Sequence, residues 1–127
     1  MKKKIAFICI HNSCRSQIAE ALGKHLRSED YDFYSAGTET KPQINRDAVR
    51  LIKELYGIDM DKTQHSKLFQ DIPTPHVAMS MGCDVGCPFI GRDFDANWGL
   101  ADPTGKSDDE FIKIIKQIEE NIRNLNF

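Results

Sequence analysis

Lys4-Ile5-Ala6-Phe7-Ile8-Cys9-Ile10-His11-Asn12-Ser13-Cys14-Arg15-Ser16 is the stretch from which the fold is read. The apolar run Ile5–Ile8, entered from Lys2-Lys3-Lys4, predicts a buried strand. Beyond it, Ile18, Leu22, His25 and Leu26 fall on one face of a helix. Between them lies a tight loop, opened by Cys9 and closed by Arg15 with five residues between. A strand, a loop and a helix start in this order suit a tetrahedral oxyanion. The loop amides point inward, and the helix N-terminus adds a positive partial charge. Arg15 is able to hold two oxygens of the anion in a bidentate fork. The same field favours the thiolate of Cys9 over the thiol, and a thiolate beneath a captured oxyanion is a nucleophile in place. The plainer alternative is a core cysteine at a strand end. Against it stand the strand before, the helix after, and Ser13 and Ser16 as hydrogen-bond partners for sulfur.

Working outward, strand and helix patterns alternate, which predicts an α/β domain with a mainly parallel sheet. Tyr31–Ser35 reads as the second strand, ending at Ala36-Gly37 with the glycine in a turn. Ile44, Ala48, Leu51, Ile52, Leu55 and Tyr56 recur at helical spacing, with Asn45 or Asp47 at the start and Gly57 as a stop. Residues 59–71 read as a loop with a short helical turn. His76–Met81 is a buried third strand and Arg92–Trp98 a weak fourth. Ser107 with Glu110 predicts a capping box, followed by the apolar stripe Phe111, Ile114, Ile115, Ile118 and Ile122. In such a sheet the oxyanion loop lies at the carboxyl edge, where ligands bind. The segments Gly82–Pro88 and Gly99–Pro103 are expected to end at the same edge.

With 127 residues, the chain fits one domain with its own core. A formal net charge of −2 gives no reason to expect nucleic-acid or anionic-membrane binding. No apolar stretch is long enough to span a bilayer, and the N-terminus lacks the apolar segment of a signal peptide, so the cytosol is expected. A monomer is expected. The four cysteines then point to catalysis, redox chemistry or metal rather than a disulfide framework.

The loop resembles the phosphate-binding loop of the low-molecular-weight protein tyrosine phosphatase superfamily. Asn12-Ser13-Cys14-Arg15-Ser16-Gln17 followed by Ala19-Glu20 is most similar to its thioredoxin-coupled arsenate reductase branch. The resemblance covers nearly the whole chain. It implies a three-layer, flavodoxin-like domain spanning 1–127, with a four-stranded parallel sheet and the oxyanion loop after strand 1. The substrate it implies is arsenate, held by residues Ile10, His11, Asn12, Ser13, Cys14, Arg15 and Ser16. Taken alone, Asp102 in Asp102-Pro103 reads as an ordinary turn. The resemblance makes it the general acid that protonates the departing oxygen. In the phosphatase branch an aromatic residue follows that proline. Here Thr104-Gly105 follows, which favours a small inorganic substrate over phosphotyrosine.

Cys83 and Cys87 lie in a glycine-flanked segment that is expected to move, which would let Cys83 approach Cys9, or pair with Cys87 if the segment loops out. Zinc binding with His76, redox protection of the nucleophile, and two inert thiols are the other readings of this pair. The resemblance implies a relay: Cys9 attacks arsenate, Cys83 attacks the Cys9 sulfur as arsenite leaves, and Cys87 attacks Cys83. Thioredoxin or a similar dithiol protein is the implied electron donor, and no bound cofactor is expected. The interval between Cys83 and Cys87 is shorter than in that branch. The competing activity is hydrolysis of phosphotyrosine or aryl phosphates through a Cys9 phosphocysteine. Cys14 is expected to pack behind the loop and His11 to sit on its rim. Some family members bind potassium through an Asn, a Glu, a Ser and an Asp. Asn12, Glu20 and Ser35 match three of these, but the fourth falls near Ser66-Lys67, where a lysine opposes a cation, so no metal is expected.

Overall fold

The computed structural model describes residues 2–82 and 90–127. Its elements run β1 (Lys3–Ile8), α1 (Arg15–Arg27), β2 (Tyr31–Ala36), α2 (Arg46–Tyr56), α3 (Met60–Thr63), a 3₁₀ turn (Phe69–Asp71), β3 (Val77–Ser80), β4 (Ala96–Asn97) and α4 (Asp108–Arg123). The four strands form one parallel sheet in the order β2-β1-β3-β4. β1 is therefore interior, with Ile5 opposite Phe33 on one side and Val77 on the other. Its last residue delivers the chain to the carboxyl edge of the sheet between two neighbours, the position that open α/β sheets use for ligands.

The alternation of a strand divides β1 between two faces. Ile5 and Phe7 enter the main core with Ile18, Leu22, Leu51, Ile52, Phe111, Ile115 and Ile118. Helices α1, α2 and α4 cover that face. Ala6 and Ile8, with Ala36, face a thinner layer of Tyr34, Phe69, Ile72, Ile90 and Phe94. The sheet is thus the middle of three layers, and the fold class expected from the sequence is the one found. Each buried Ile or Phe of the α4 stripe contributes about 1.5–3 kcal/mol, which explains why α4 was the plainest helix to read.

Several boundaries follow local chemistry. Asn45 caps α2 by accepting from the Ala48 amide at 3.0 Å, and Gly57 closes it in the left-handed conformation (φ 72°). Ser107 caps α4 by accepting from the Glu110 amide at 3.3 Å. The carboxylate of Glu110 instead pairs with Lys113 at 3.7 Å. β4 is only two residues long, against the seven expected, because Arg92 and Asp95 are occupied with each other and with the backbone of residues 75 and 78. His25 does not join the apolar face of α1. It is exposed, with its ring edge-on to Tyr56 at 6.1 Å. Gly37 is not a turn. It continues the strand and forms a parallel bridge with Leu68.

Candidate active site

The loop from Cys9 to Cys14 joins β1 to α1 with one residue in the left-handed region, Asn12 (φ 51°). Asparagine tolerates that conformation better than most residues. The amides of residues 10–14 find no backbone acceptor among the described residues. Helix α1 starts with Cys14 as an N-cap that offers no side-chain hydrogen bond, and its first turn holds no acidic residue. The positive end of the helix is therefore unneutralised and faces the loop. This is a cradle for an anion.

Cys9 opens the cradle. The hydroxyl and the amide of Ser16 both act on its sulfur and favour the thiolate. The Ser16 hydroxyl in turn accepts from Asn12 Nδ2 at 2.9 Å, so its own proton is directed to sulfur. Burial pushes the Cys9 thiol up, against the pull of Ser16 and of the Arg15 charge, and the Asp102 carboxylate pushes it further. Desolvation thus opposes the thiolate that the hydrogen bonds and the guanidinium favour.

Arg15 closes the cradle. Its Nη1 donates to the Leu100 carbonyl at 2.6 Å, which ties the arginine to the loop that carries Asp102. Gly82 (φ 150°) lies against both. A Cβ there would be 2.6 Å from the Leu100 oxygen and 2.9 Å from Arg15 Nη1, so only glycine lets the guanidinium approach. Asp102 Oδ1 accepts from Thr104 N at 3.0 Å and Thr104 Oγ1 at 2.7 Å. Partial burial raises the Asp102 carboxyl, but Thr104, Arg15 and Lys41 together hold it below its ordinary value. Trp98 is spent on the core, with its ring 5.3 Å from that of Phe7.

The remaining predicted residues separate by depth. Ile10 is exposed, and His11 lies on the rim, paired with Glu39 at 3.0 Å. Cys14 is buried in the main core, and burial pushes its thiol up to about 12, the expected place for a residue packed behind the loop. Ser13 contributes its carbonyl to the amide of Asn45 at 2.7 Å. The Asn12 side chain is fully buried behind the loop, so any contact it offers an anion is through backbone. His76, considered for zinc, accepts from the Lys4 amide at 2.9 Å at the opposite end of β3. Cys83 and Cys87 lie outside the described residues.

Sequence reasoning missed the layer behind the loop. Gln17 Nε2 donates to Asn12 O, Asn12 Oδ1 and His65 O at 2.9–3.0 Å. Gln64 Nε2 donates to Gln17 Oε1 at 2.7 Å, and Lys67 N donates to Asn12 Oδ1 at 3.0 Å. Gln17 and Asn12 are near neighbours, but His65, Gln64 and Lys67 come from 47 to 55 positions away, beyond any local pattern. Gly37 belongs here too. A Cβ on it would strike the Ile10 carbonyl and lie 3.0 Å from Asn12 N. The Ile10 carbonyl accepts from Thr38 and Glu39, each at 2.9 Å.

The Ser16 contact yields a prediction. Replacing Ser16 with alanine removes a donor to sulfur and leaves desolvation in place, so the Cys9 pKa should rise further. A hydrogen bond to a charged group contributes about 1.5–3 kcal/mol. Alkylation of Cys9 by iodoacetamide at neutral pH should therefore slow by roughly tenfold or more. In both proteins the rate should climb with pH, with the variant's curve displaced to the alkaline side. Equal rates across the pH range would show that Ser16 does not support the sulfur.

Comparison with known proteins places this arrangement in context. The arsenate reductase of Staphylococcus xylosus is 36% identical over 132 residues, covering 97% of this chain and 95% of its own. A solved structure described as an arsenate reductase in the phosphate binding state superposes with a TM-score of 0.82 at 32% identity, covering 98% of this chain and 95% of that one. The thioredoxin-dependent arsenate reductase of Corynebacterium glutamicum superposes with a TM-score of 0.72 at 28% identity, over 96% of this chain but 59% of that longer one. The sequence pattern of low molecular weight phosphotyrosine protein phosphatases matches residues 4–126; with strand, cradle and helix in the corresponding order, the chain belongs to that family.

Proposed function

We propose that the protein reduces arsenate to arsenite through Cys9, Cys83 and Cys87, with thioredoxin or a similar dithiol protein as electron donor. The observation that carries this reading is Cys9 beneath an open anion cradle, with Arg15 and Asp102 acting on its sulfur. The similarity to proteins named arsenate reductases supports it.

The proton inventory follows from the balance of the first step. One proton has to leave the Cys9 sulfur and one has to reach the departing oxygen, and Asp102 is the carboxylate that acts on that sulfur. The anion enters the cradle, Arg15 turns toward it, and Asp102 accepts the thiol proton as sulfur attacks arsenic. Asp102 then passes the proton to the departing oxygen: thiol plus HAsO₄²⁻ gives the Cys9–S–AsO₃²⁻ adduct and one water. Asp102 thus acts as a carrier, base first and acid second. Next, the Cys83 thiolate attacks the Cys9 sulfur. The sulfur–arsenic bond breaks, its electron pair leaves with arsenic as arsenite, and a Cys9–Cys83 disulfide forms. Cys87 thiolate attacks Cys83 and frees Cys9, and the Cys83–Cys87 disulfide is returned to dithiol by the external donor.

Phosphate-ester hydrolysis uses the same Cys9, Arg15 and Asp102 but neither Cys83 nor Cys87. The experiment is a coupled assay with arsenate, thioredoxin, thioredoxin reductase and NADPH, run on wild type, Cys83→Ser and Cys87→Ser, with aryl phosphate hydrolysis in parallel. Arsenate-dependent NADPH loss is expected only in wild type. Turnover that survives both substitutions would overturn the relay, and ester cleavage alone would assign the protein to phosphate chemistry.

A further inference from the structure

Glu20 and Lys67 are the one buried carboxylate–ammonium pair near the loop among the described residues, and the mechanism above does not use them. Glu20 is 3% exposed. Its Oε2 takes Lys24 Nζ at 2.6 Å, and its Oε1 takes Ser35 Oγ at 2.5 Å and Lys67 Nζ at 3.1 Å. Lys67 Nζ also reaches Ser35 Oγ at 3.4 Å and the His65 carbonyl at 3.2 Å. One ammonium is thus ringed by a carboxylate, a hydroxyl and a carbonyl, the oxygen set of a hard monovalent cation. The potassium ion that some family members hold does not fit here. Every one of these oxygens already faces Nζ, and an added cation would lie against a positive charge.

We infer that Lys67 is a positioning residue whose tethered ammonium takes the place of a free cation and fixes the oxyanion loop from behind. The link to the loop is continuous. Lys67 grips Glu20 through Nζ and Asn12 Oδ1 through its backbone amide. Asn12 Nδ2 holds Ser16, and Ser16 holds the Cys9 sulfur. Glu20 and Ser16 are one helical turn apart on α1, so the pair also sets the start of that helix against β2 through Ser35. The ionised state of Glu20 is secured by this company: burial raises its carboxyl, and Lys67, Lys24 and Ser35 bring it below its ordinary value. Losing the ammonium leaves Glu20 Oε1 with Ser35 alone and Lys24 as the sole charge partner of the carboxylate, and the backbone amide of residue 67 that holds Asn12 loses its tether to α1.

The inference rests on the anion-site reading, and two readouts keep the two separable. Inorganic phosphate affinity by calorimetry reads the cradle. The rate of Cys9 alkylation reads the Lys67–Asn12–Ser16 link with no substrate involved. Both are measured in sodium, potassium and choline chloride at equal ionic strength, on wild type, Lys67→Ala and the paired variant Glu20→Gln/Lys67→Met, which removes both charges together. Wild type should be indifferent to the cation within about twofold, because its own ammonium is covalently present. Lys67→Ala should bind phosphate roughly 5- to 30-fold more weakly, and methylammonium or potassium should restore part of the loss. The paired variant should melt cooperatively yet show the same weakening and a changed Cys9 alkylation rate. A merely structural role would lower the melting temperature and leave phosphate affinity and alkylation unchanged, which would overturn the inference. So would a wild-type affinity that depends severalfold on potassium. Failure of wild type to bind phosphate or reduce arsenate would instead overturn the proposed function, with the alkylation rates still deciding the role of Lys67.

Discussion

Replacing Cys9 with serine is expected to reduce arsenate turnover by roughly 10³-fold or more, the scale of removing a nucleophile that acts as one unit with its partners. Oxygen at this position is a far poorer nucleophile at neutral pH than sulfur, and it forms no disulfide with Cys83, so both the first and second steps fail. Anion binding should respond differently. The amides of residues 10–14, the start of α1 with its uncapped N-terminus, and Arg15 are untouched. Inorganic phosphate should therefore bind Cys9→Ser within about threefold of wild type, since capture and chemistry are separate contributions. Calorimetry beside the coupled assay checks both halves. A variant that loses phosphate binding along with turnover would mean that the sulfur itself organises the cradle.

The second large effect is expected at a residue with no side chain. Gly37→Ala should both destabilise the fold and disable the loop. The added methyl meets the Ile10 carbonyl and Asn12 N, which are backbone atoms that cannot turn aside. Gly37 is also held in place from its other side, donating to Lys67 O and accepting from Phe69 N, each at 2.9 Å. Overpacking of this kind costs about 1–3 kcal/mol, a drop of roughly 3–10 °C in Tm for a chain of this size. The clash is relieved by pushing the oxyanion loop outward, so phosphate affinity and arsenate turnover should fall by more than the stability loss alone explains. Thermal melting with phosphate titration separates the two. A variant that melts like wild type and binds phosphate normally would show that the loop yields without cost.

The chemistry of this protein is legible where it is local. Cys9, Arg15 and Ser16 are within one loop and one helical turn, so their order alone places them around one point. The α4 stripe and the α2 caps are local in the same sense, and each was read close to its true position. Asp102 needed the topology, because in the order β2-β1-β3-β4 the parallel strands bring the ends of β1 and β4 to one edge of the sheet, with β3 between them. What escaped was long-range and polar. Gln64 touches Gln17 across 47 positions, and Lys67 touches Asn12 across 55. Gly37 looked like a turn because glycine usually signals one, whereas here it marks a close approach between two backbones. The environment of Cys9 was only half legible for a related reason: the groups that favour its thiolate are in the sequence, but the depth of burial that opposes them is a property of the assembled core.

Asn12 carries a consequence for the ageing of the protein. An asparagine followed by a serine is open to deamidation, in which the next backbone nitrogen attacks the side-chain carbonyl carbon and ammonia is expelled. That attack requires the side chain to swing toward Ser13. Here its oxygen is fastened by Gln17 and Lys67 and its nitrogen by Ser16, so the rotation is blocked while the scaffold holds. The shelf life of the loop is thus set by the buried amides and the lysine behind it, and an unfolded chain converts to aspartate at a position where a new negative charge would repel the anion.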